Sequence, residues 1–182
     1  MKVEPIRDKN DIIDCLYYLE NKNPRDKVMF AVGIFTGLRI SDILKLRVKD
    51  VKHRNKIVIK QTKTKNYIEI PINKELKKII NTYCEDKSDN EYLIKSRNGY
   101  NKAISTDRAY KIFKEMEEEL GLESIGTHTM RKTCGYHLYY DGGKDIVNVM
   151  NILGHTEPGI TLRYIGVTQD TKEKAIKRLK YF

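Results

Sequence analysis

Apolar positions near the start of the chain fall three and four apart, at Ile12, Cys15, Leu16 and Leu19. That spacing puts them on one face of a helix. Asn23-Pro24 follows, a capping side chain and then a proline at the first helical position, which together mark a second helix start. This second helix runs through VMFAVGIF. It is apolar almost all round, which predicts a buried, central place. Gly37 is its expected terminator. A short helix from about Ser41 to Arg47, capped by Ser41, is expected next.

After Val51 the period changes from helical to alternating. KIVIKQT and YIEIPI alternate in strand fashion and flank Lys63-Thr64-Lys65-Asn66, which predicts a β-hairpin with a basic tip. Pro71 should end its second strand, since proline cannot donate to a ladder. The remainder reads as helical. One helix is expected from about Asn73 to Asp86. Another, opened by Thr106, aligns Ala109, Ile112, Phe113, Met116 and Leu120 and is closed by Gly121. A third should begin near Thr127, a fourth lies between Lys144 and Leu153, and an amphipathic segment from Asp170 to Tyr181 ends the chain. There is no repeat, low-complexity tract or Pro/Gly-rich linker. The expected fold is mainly α with a small antiparallel β-sheet (α+β), as a single domain over residues 1–182.

Composition narrows the class. A chain of 182 residues can bury one good core and is short for two. The 40% hydrophobic content is ordinary for a globular protein. No apolar run approaches the roughly 20 residues that span a bilayer, and MKVEPIRDKND lacks the apolar stretch of a secretory signal. Cys15, Cys84 and Cys134 are odd in number and far apart. They fit free thiols in a reducing cytoplasm better than a disulfide framework.

Charge points to a partner. The formal net charge is +10, and such an excess draws a polyanion, either nucleic acid or an anionic membrane surface. From Lys45 to Lys65 nine basic residues face one acid, Asp50. A membrane surface suits this stretch less well, because a hairpin offers no amphipathic helical face.

Cleaving a phosphodiester requires a nucleophile, positive charge on the non-bridging oxygens, and a proton for the leaving oxygen. Arginine suits the second task because its planar cation can bond two phosphate oxygens at once. Arg39 lies where the apolar helix gives way to the next, in TGLRISDILKL. Lys63 lies at the hairpin tip. His128 and Arg131 form H-x-x-R, a spacing that shares one side of a helix. Leu153-Gly154-His155 follows, and Tyr164 comes nine residues later in TLRY. Taken singly, each arginine reads as an ordinary salt-bridging residue and Tyr164 as one of twelve tyrosines. The ordered set of six is far more specific. His128, Cys134 and His137 fit no common zinc spacing.

In this ordered set the chain resembles the catalytic domain of the tyrosine recombinases, the phage-integrase family, along nearly its whole length. The resemblance implies that Arg39 and Arg131 clamp the scissile phosphate, Lys63 protonates the departing 5′ oxygen, and His128 assists proton transfer at the nucleophile. It further implies that His155 hydrogen-bonds the phosphate, that Asp42 supports the site, and that Tyr164 forms a 3′-phosphotyrosyl link. Met130 and Lys132 depart from the leucine and histidine usual at those places. Lys45, Arg47, Lys65, Lys132 and Arg163 are expected to bind DNA. No cofactor or metal is implied. A free phenol with pKa near 10 is ionised in only about one molecule in a thousand at pH 7. Two guanidinium groups beside Tyr164 should therefore favour phenolate, with His128 taking the proton.

The function so implied is site-specific recombination of double-stranded DNA. Strand relaxation of the type IB topoisomerase kind and DNA binding without turnover are the alternatives. Family members usually carry a separate N-terminal core-binding domain. Only some two dozen residues precede the apolar helix here, so a stand-alone catalytic domain is expected, with weak, salt-sensitive DNA binding. Self-association on DNA through the segment after the nucleophile is a further expectation.

Overall fold

The computed structural model describes residues 3–63 and 65–179. Within them the chain forms nine α-helices and a two-stranded antiparallel sheet, the mainly α architecture that the pattern predicts. In chain order these are α1 (Lys9–Lys22), α2 (Pro24–Thr36), α3 (Ile40–Ile43), β1 (Lys56–Lys60), β2 (Tyr67–Pro71), α4 (Lys74–Cys84), α5 (Thr106–Leu120), α6 (Thr129–Asp141), α7 (Ile146–Leu153), α8 (Pro158–Tyr164) and α9 (Val167–Lys177). None of the described helices is long and apolar enough to cross a membrane.

The apolar helix α2 is central. It packs against α1, α4 and α6, and Val28, Met29, Phe30, Ala31 and Val32 are all buried. Its start follows the sequence signal: the Asn23 side chain accepts from the Arg25 amide ahead of Pro24 at the first helical position. It ends at Gly37, in the left-handed conformation with φ 66°, where a residue with a Cβ would be strained. Cys15 and Leu19 of α1 are buried against it. Phe30 meets Phe113 of α5 with ring centroids 6.2 Å apart.

The hairpin has the register Ile57↔Ile70 and Ile59↔Ile68, so its four isoleucines share one face, while Lys56 and Lys60 take the other with Val58 and Tyr67. Beyond the strands, the Gln61 amide donates to Asn66 O at 2.9 Å. Pro71 is the last residue of β2, as expected. The middle of the expected tip, Thr64, lies outside the described residues.

Three local expectations are corrected. The helix expected from about Ser41 to Arg47 occupies only Ile40–Ile43, with Arg39 rather than Ser41 at the cap. Past Leu44 the backbone is extended at Arg47, with φ −104° and ψ 163°, and a short 3-10 turn follows over Val48–Asp50, with Leu46 and Val48 buried. The chain accordingly bridges Arg47 to Tyr92, and Leu93 donates to Leu46 O. Next, α6 begins at Thr129 rather than near Thr127, because the Thr129 hydroxyl and amide close a turn with Gly126 and leave His128 as the cap. Third, the final helix starts three residues before Asp170, at Val167, and the expected end at Tyr181 lies outside the described residues. A helix not foreseen, α8, carries Tyr164 at its C-terminal end.

A second, smaller core is built from Val149, Leu153, Ile165 and Val167. It is pressed onto α6 at Gly135, where a Cβ would lie 2.7 Å from Ile165 Cγ2 and 2.9 Å from Leu153 Cδ1. Helix α6 therefore touches both cores. Met130 belongs to the main core, and Gly135 receives the second.

Candidate active site

Arg131 is 3% exposed. Its Nη1 donates to Gly37 O and its Nη2 to Leu153 O. These carbonyls sit at the C-terminal ends of α2 and α7, where unpaired carbonyls and the helix dipoles concentrate negative charge. The cation is thereby tolerated in a buried place and fixed in direction. The reading of the sequence put Arg131 near a helix start but gave no sign of these two anchors.

Arg39 caps α3 on extended backbone, with φ −71° and ψ 148°. Its Nη1 is buried without a hydrogen-bond partner among the described residues. A buried donor left unmade costs about 1–3 kcal/mol, and an anionic oxygen would remove that cost. Asp42, at 0% exposure, accepts through Oδ1 from the Thr62 amide at 2.8 Å and from the Thr62 hydroxyl at 2.5 Å. It thus ties α3 to the residue before Lys63. Lys63 itself is exposed at the hairpin tip.

Tyr164 stands among the remaining residues. Its Oη is 3.5 Å from His128 Nδ1. The His155 ring meets it edge-on, centroids 5.0 Å apart at 90°. Lys132 Nζ lies 5.1 Å from the centre of its ring, a cation–π placement. Burial pushes the Tyr164 phenol above its ordinary value, and the opposing pull of Arg131 and Arg39 does not cancel it. Both guanidinium groups favour phenolate, as expected, but desolvation outweighs them, so the net direction is upward.

His128 is held below its ordinary value, first by partial burial and then by the charges of Arg131, Arg39, Lys132 and Lys63. A neutral imidazole at this distance from a phenol is placed to accept its proton. His155 is also lowered, by burial and then by Arg131 and Arg39. Its Nδ1 lies 3.2 Å from Thr161 Oγ1, and that hydroxyl donates to Glu157 O at 2.9 Å. The hydroxyl proton being engaged, Nδ1–H is the donor of the His155 contact, which directs Nε2 away from Thr161.

Arg39, Arg131, His128, His155 and Tyr164 are thus brought together, with Lys63 near enough for its charge to act on His128. The five basic residues expected at DNA divide. Lys45, Lys65 and Arg163 are exposed. Arg47 donates to Asn90 O and stacks 4.5 Å over Tyr92, engagements that anchor a loop. Lys132 is 7% exposed and belongs to the Tyr164 cluster. Thr62 and Thr161 were missed. A hydroxyl residue beside the tip lysine, and another three before the tyrosine, were the available signals.

Fold and site define a catalytic domain in which basic side chains surround a tyrosine hydroxyl. The chain belongs to the phage integrase family, whose sequence profile matches residues 8–171. It is 47% identical over 175 residues to the probable integrase/recombinase YoeC of Bacillus subtilis (strain 168), covering 96% of each chain. It is 30% identical over 159 residues to the tyrosine recombinase XerA of Thermococcus kodakarensis, covering 86% of this chain and 56% of that one, so it spans just over half the length of that relative. A crystal structure of XerA recombinase superimposes with a TM-score of 0.76 at 19% identity, over 100% of this chain and 68% of that one.

Proposed function

We propose that this chain is a site-specific DNA recombinase acting through Tyr164, with residues 1–182 serving as one catalytic domain. The observation that carries the reading is the Tyr164 hydroxyl lying 3.5 Å from His128 Nδ1 while also interacting with the Arg131 cation. Arg131 and Arg39 hold the non-bridging oxygens of a DNA phosphate, filling the empty hydrogen-bonding position on Arg39 Nη1. Tyr164 Oη attacks phosphorus as its proton passes to His128. The P–O5′ bond breaks, Lys63 Nζ gives a proton to the departing O5′, and DNA remains joined to the enzyme as a 3′-phosphotyrosine. With Nδ1–H given to Thr161 Oγ1, His155 donates to the phosphate from Nε2 once the phosphate's negative charge draws a second proton onto the ring. In the reverse sense, the 5′ hydroxyl of another strand attacks phosphorus and Tyr164 leaves.

Desolvation gives the site much of its force, since fixed cations stabilise developing charge more strongly where water is excluded. Double-stranded DNA is the partner, held by exposed cations such as Lys45, Lys65 and Arg163. Copies associate on DNA through the C-terminal segment, where α9 leaves Ile176 67% exposed, followed by Leu179 at 54%. The setting is cytoplasmic. A plasmid bearing two copies of the cognate attachment sequence tests the function. Recombinant circles are expected. Relaxed topoisomers without recombinants, at every protein concentration, would replace recombination by strand relaxation.

A further inference from the structure

The segment before α1 makes contacts that packing alone does not require. The Glu4 amide donates to Ser124 O at 2.9 Å, in the loop leading to His128. The Ile6 amide donates to Thr133 Oγ1 at 2.9 Å, and His137 Nε2 lies 3.0 Å from Ile6 O. Thr133 and His137 are on α6, two and six residues beyond Arg131. Arg7 then crosses to α9: its Nη2 is 2.8 Å and its Nε 2.9 Å from Asp170 Oδ1. Arg7 also lies over Tyr136, 5.6 Å from the ring centre.

These contacts share one property. Ser124, Thr133, His137 and Asp170 all lie on the part of the chain that carries His128, Arg131 and Tyr164. The strap also meets Gly166, two residues beyond Tyr164. Gly166 has φ +86°, and a Cβ there would lie 2.9 Å from Arg7 Nη2 and 3.2 Å from Pro5 Cγ. The turn that follows Tyr164 is therefore packed directly on the strap. One end of the strap is fastened to the helix of the phosphate clamp, and the other to the helix that follows the nucleophile.

We infer that Glu4 to Arg7 form a positioning strap for cleavage, in which the Arg7–Asp170 ion pair sets where Tyr164 stands relative to Arg131. Arg7 and Asp170 act through Tyr164 and touch no reacting atom. The inference rests on the reading of Tyr164 as nucleophile. Its energetic sense is that an attacking oxygen misplaced by about 1 Å can lose on the order of a hundredfold in rate. Arg7 and Asp170 side chains are 36% and 11% exposed, so the pair is partly buried, and urea unfolding of each variant is measured to separate positioning from loss of fold.

The test is single-turnover formation of the covalent adduct on a nicked duplex bearing the cognate site, at saturating full-length protein, with duplex affinity measured alongside. Arg7→Ala and Asp170→Asn should each slow adduct formation by about tenfold or more. Duplex affinity should stay within about twofold, because Arg7 is engaged with Asp170 and Tyr136 and is not among the cations proposed to hold DNA. The double variant should be no slower than the slower single, the signature of one shared interaction, and Arg7→Lys should recover most of the rate. Wild-type rates in both single variants would overturn the inference. So would losses that multiply in the double variant, or losses matched by weaker duplex binding. An adduct formed by Tyr164→Phe would instead overturn the nucleophile assignment, leaving the two failures distinguishable.

Discussion

At Tyr164, burial and positive charge act in opposite directions, and burial prevails. On the proposed mechanism the hydroxyl therefore keeps its proton until attack, and the reaction depends on an acceptor at that moment. His128, lowered below its ordinary 6.5, is neutral at pH 7 and can serve. The sign follows: protonating His128 removes the acceptor, so kcat/KM for cleavage should fall on the acid side, with a midpoint below 6.5, and stay level between pH 7 and 8. His128→Asn should lose about a hundredfold and flatten the acid limb. A rate climbing tenfold per pH unit from 7 to 9 would mean prior ionisation of the phenol and would contradict this. The residue types were legible in the sequence, since H-x-x-R, the hairpin lysine and the tyrosine after Leu-Gly-His stand in order. The balance at Tyr164 was not, because charge is visible in a sequence and desolvation is not.

The elements were legible where one physical rule dominated. Asn23-Pro24 opened α2 and Gly37 closed it, both local signals. Alternation in KIVIKQT and YIEIPI gave the hairpin. Legibility failed where local preference met a distant partner. Leu46 and Val48 leave the helix after α3 to pair beside Tyr92 and Leu93, a contact separated by more than forty residues. Helix α8 is only seven residues long and contains Gly159, Ile160 and Thr161, weak helix formers. It stands because Leu162 and Ile165 pack in the second core. Gly135 is the key to that packing. Gly135→Val should force Ile165 and Leu153 aside, destabilise the chain by about 1–3 kcal/mol in urea unfolding, and reduce adduct formation. A variant as stable and active as the parent would show that α8 does not depend on this close approach.

Over the whole molecule the charge pattern and the site separate into two functions. Lys45, Lys65 and Arg163 are exposed, while Lys132 and Arg131 are enclosed near Tyr164. Each phosphate contact contributes about −0.9 to the slope of log affinity against log salt. Lys45→Ala and Lys65→Ala should each make that slope shallower by about one contact. Lys132→Ala should leave the slope unchanged and slow cleavage. Were the slope altered equally by all three, Lys132 would be an ordinary DNA-facing cation. The nine basic residues between Lys45 and Lys65 had marked a polyanion partner from the sequence. Which of them are engaged elsewhere, as Arg47 is with Asn90 and Tyr92, depends on folding.

The central claim is that Tyr164 becomes bonded to DNA. A nicked suicide duplex, from which the short 5′ fragment diffuses after cleavage, isolates that step. The wild-type chain should leave a protein–DNA adduct stable to SDS, with the phosphate mapped to Tyr164, and Tyr164→Phe should leave none. An adduct of equal yield in Tyr164→Phe would place the nucleophile elsewhere and contradict the account.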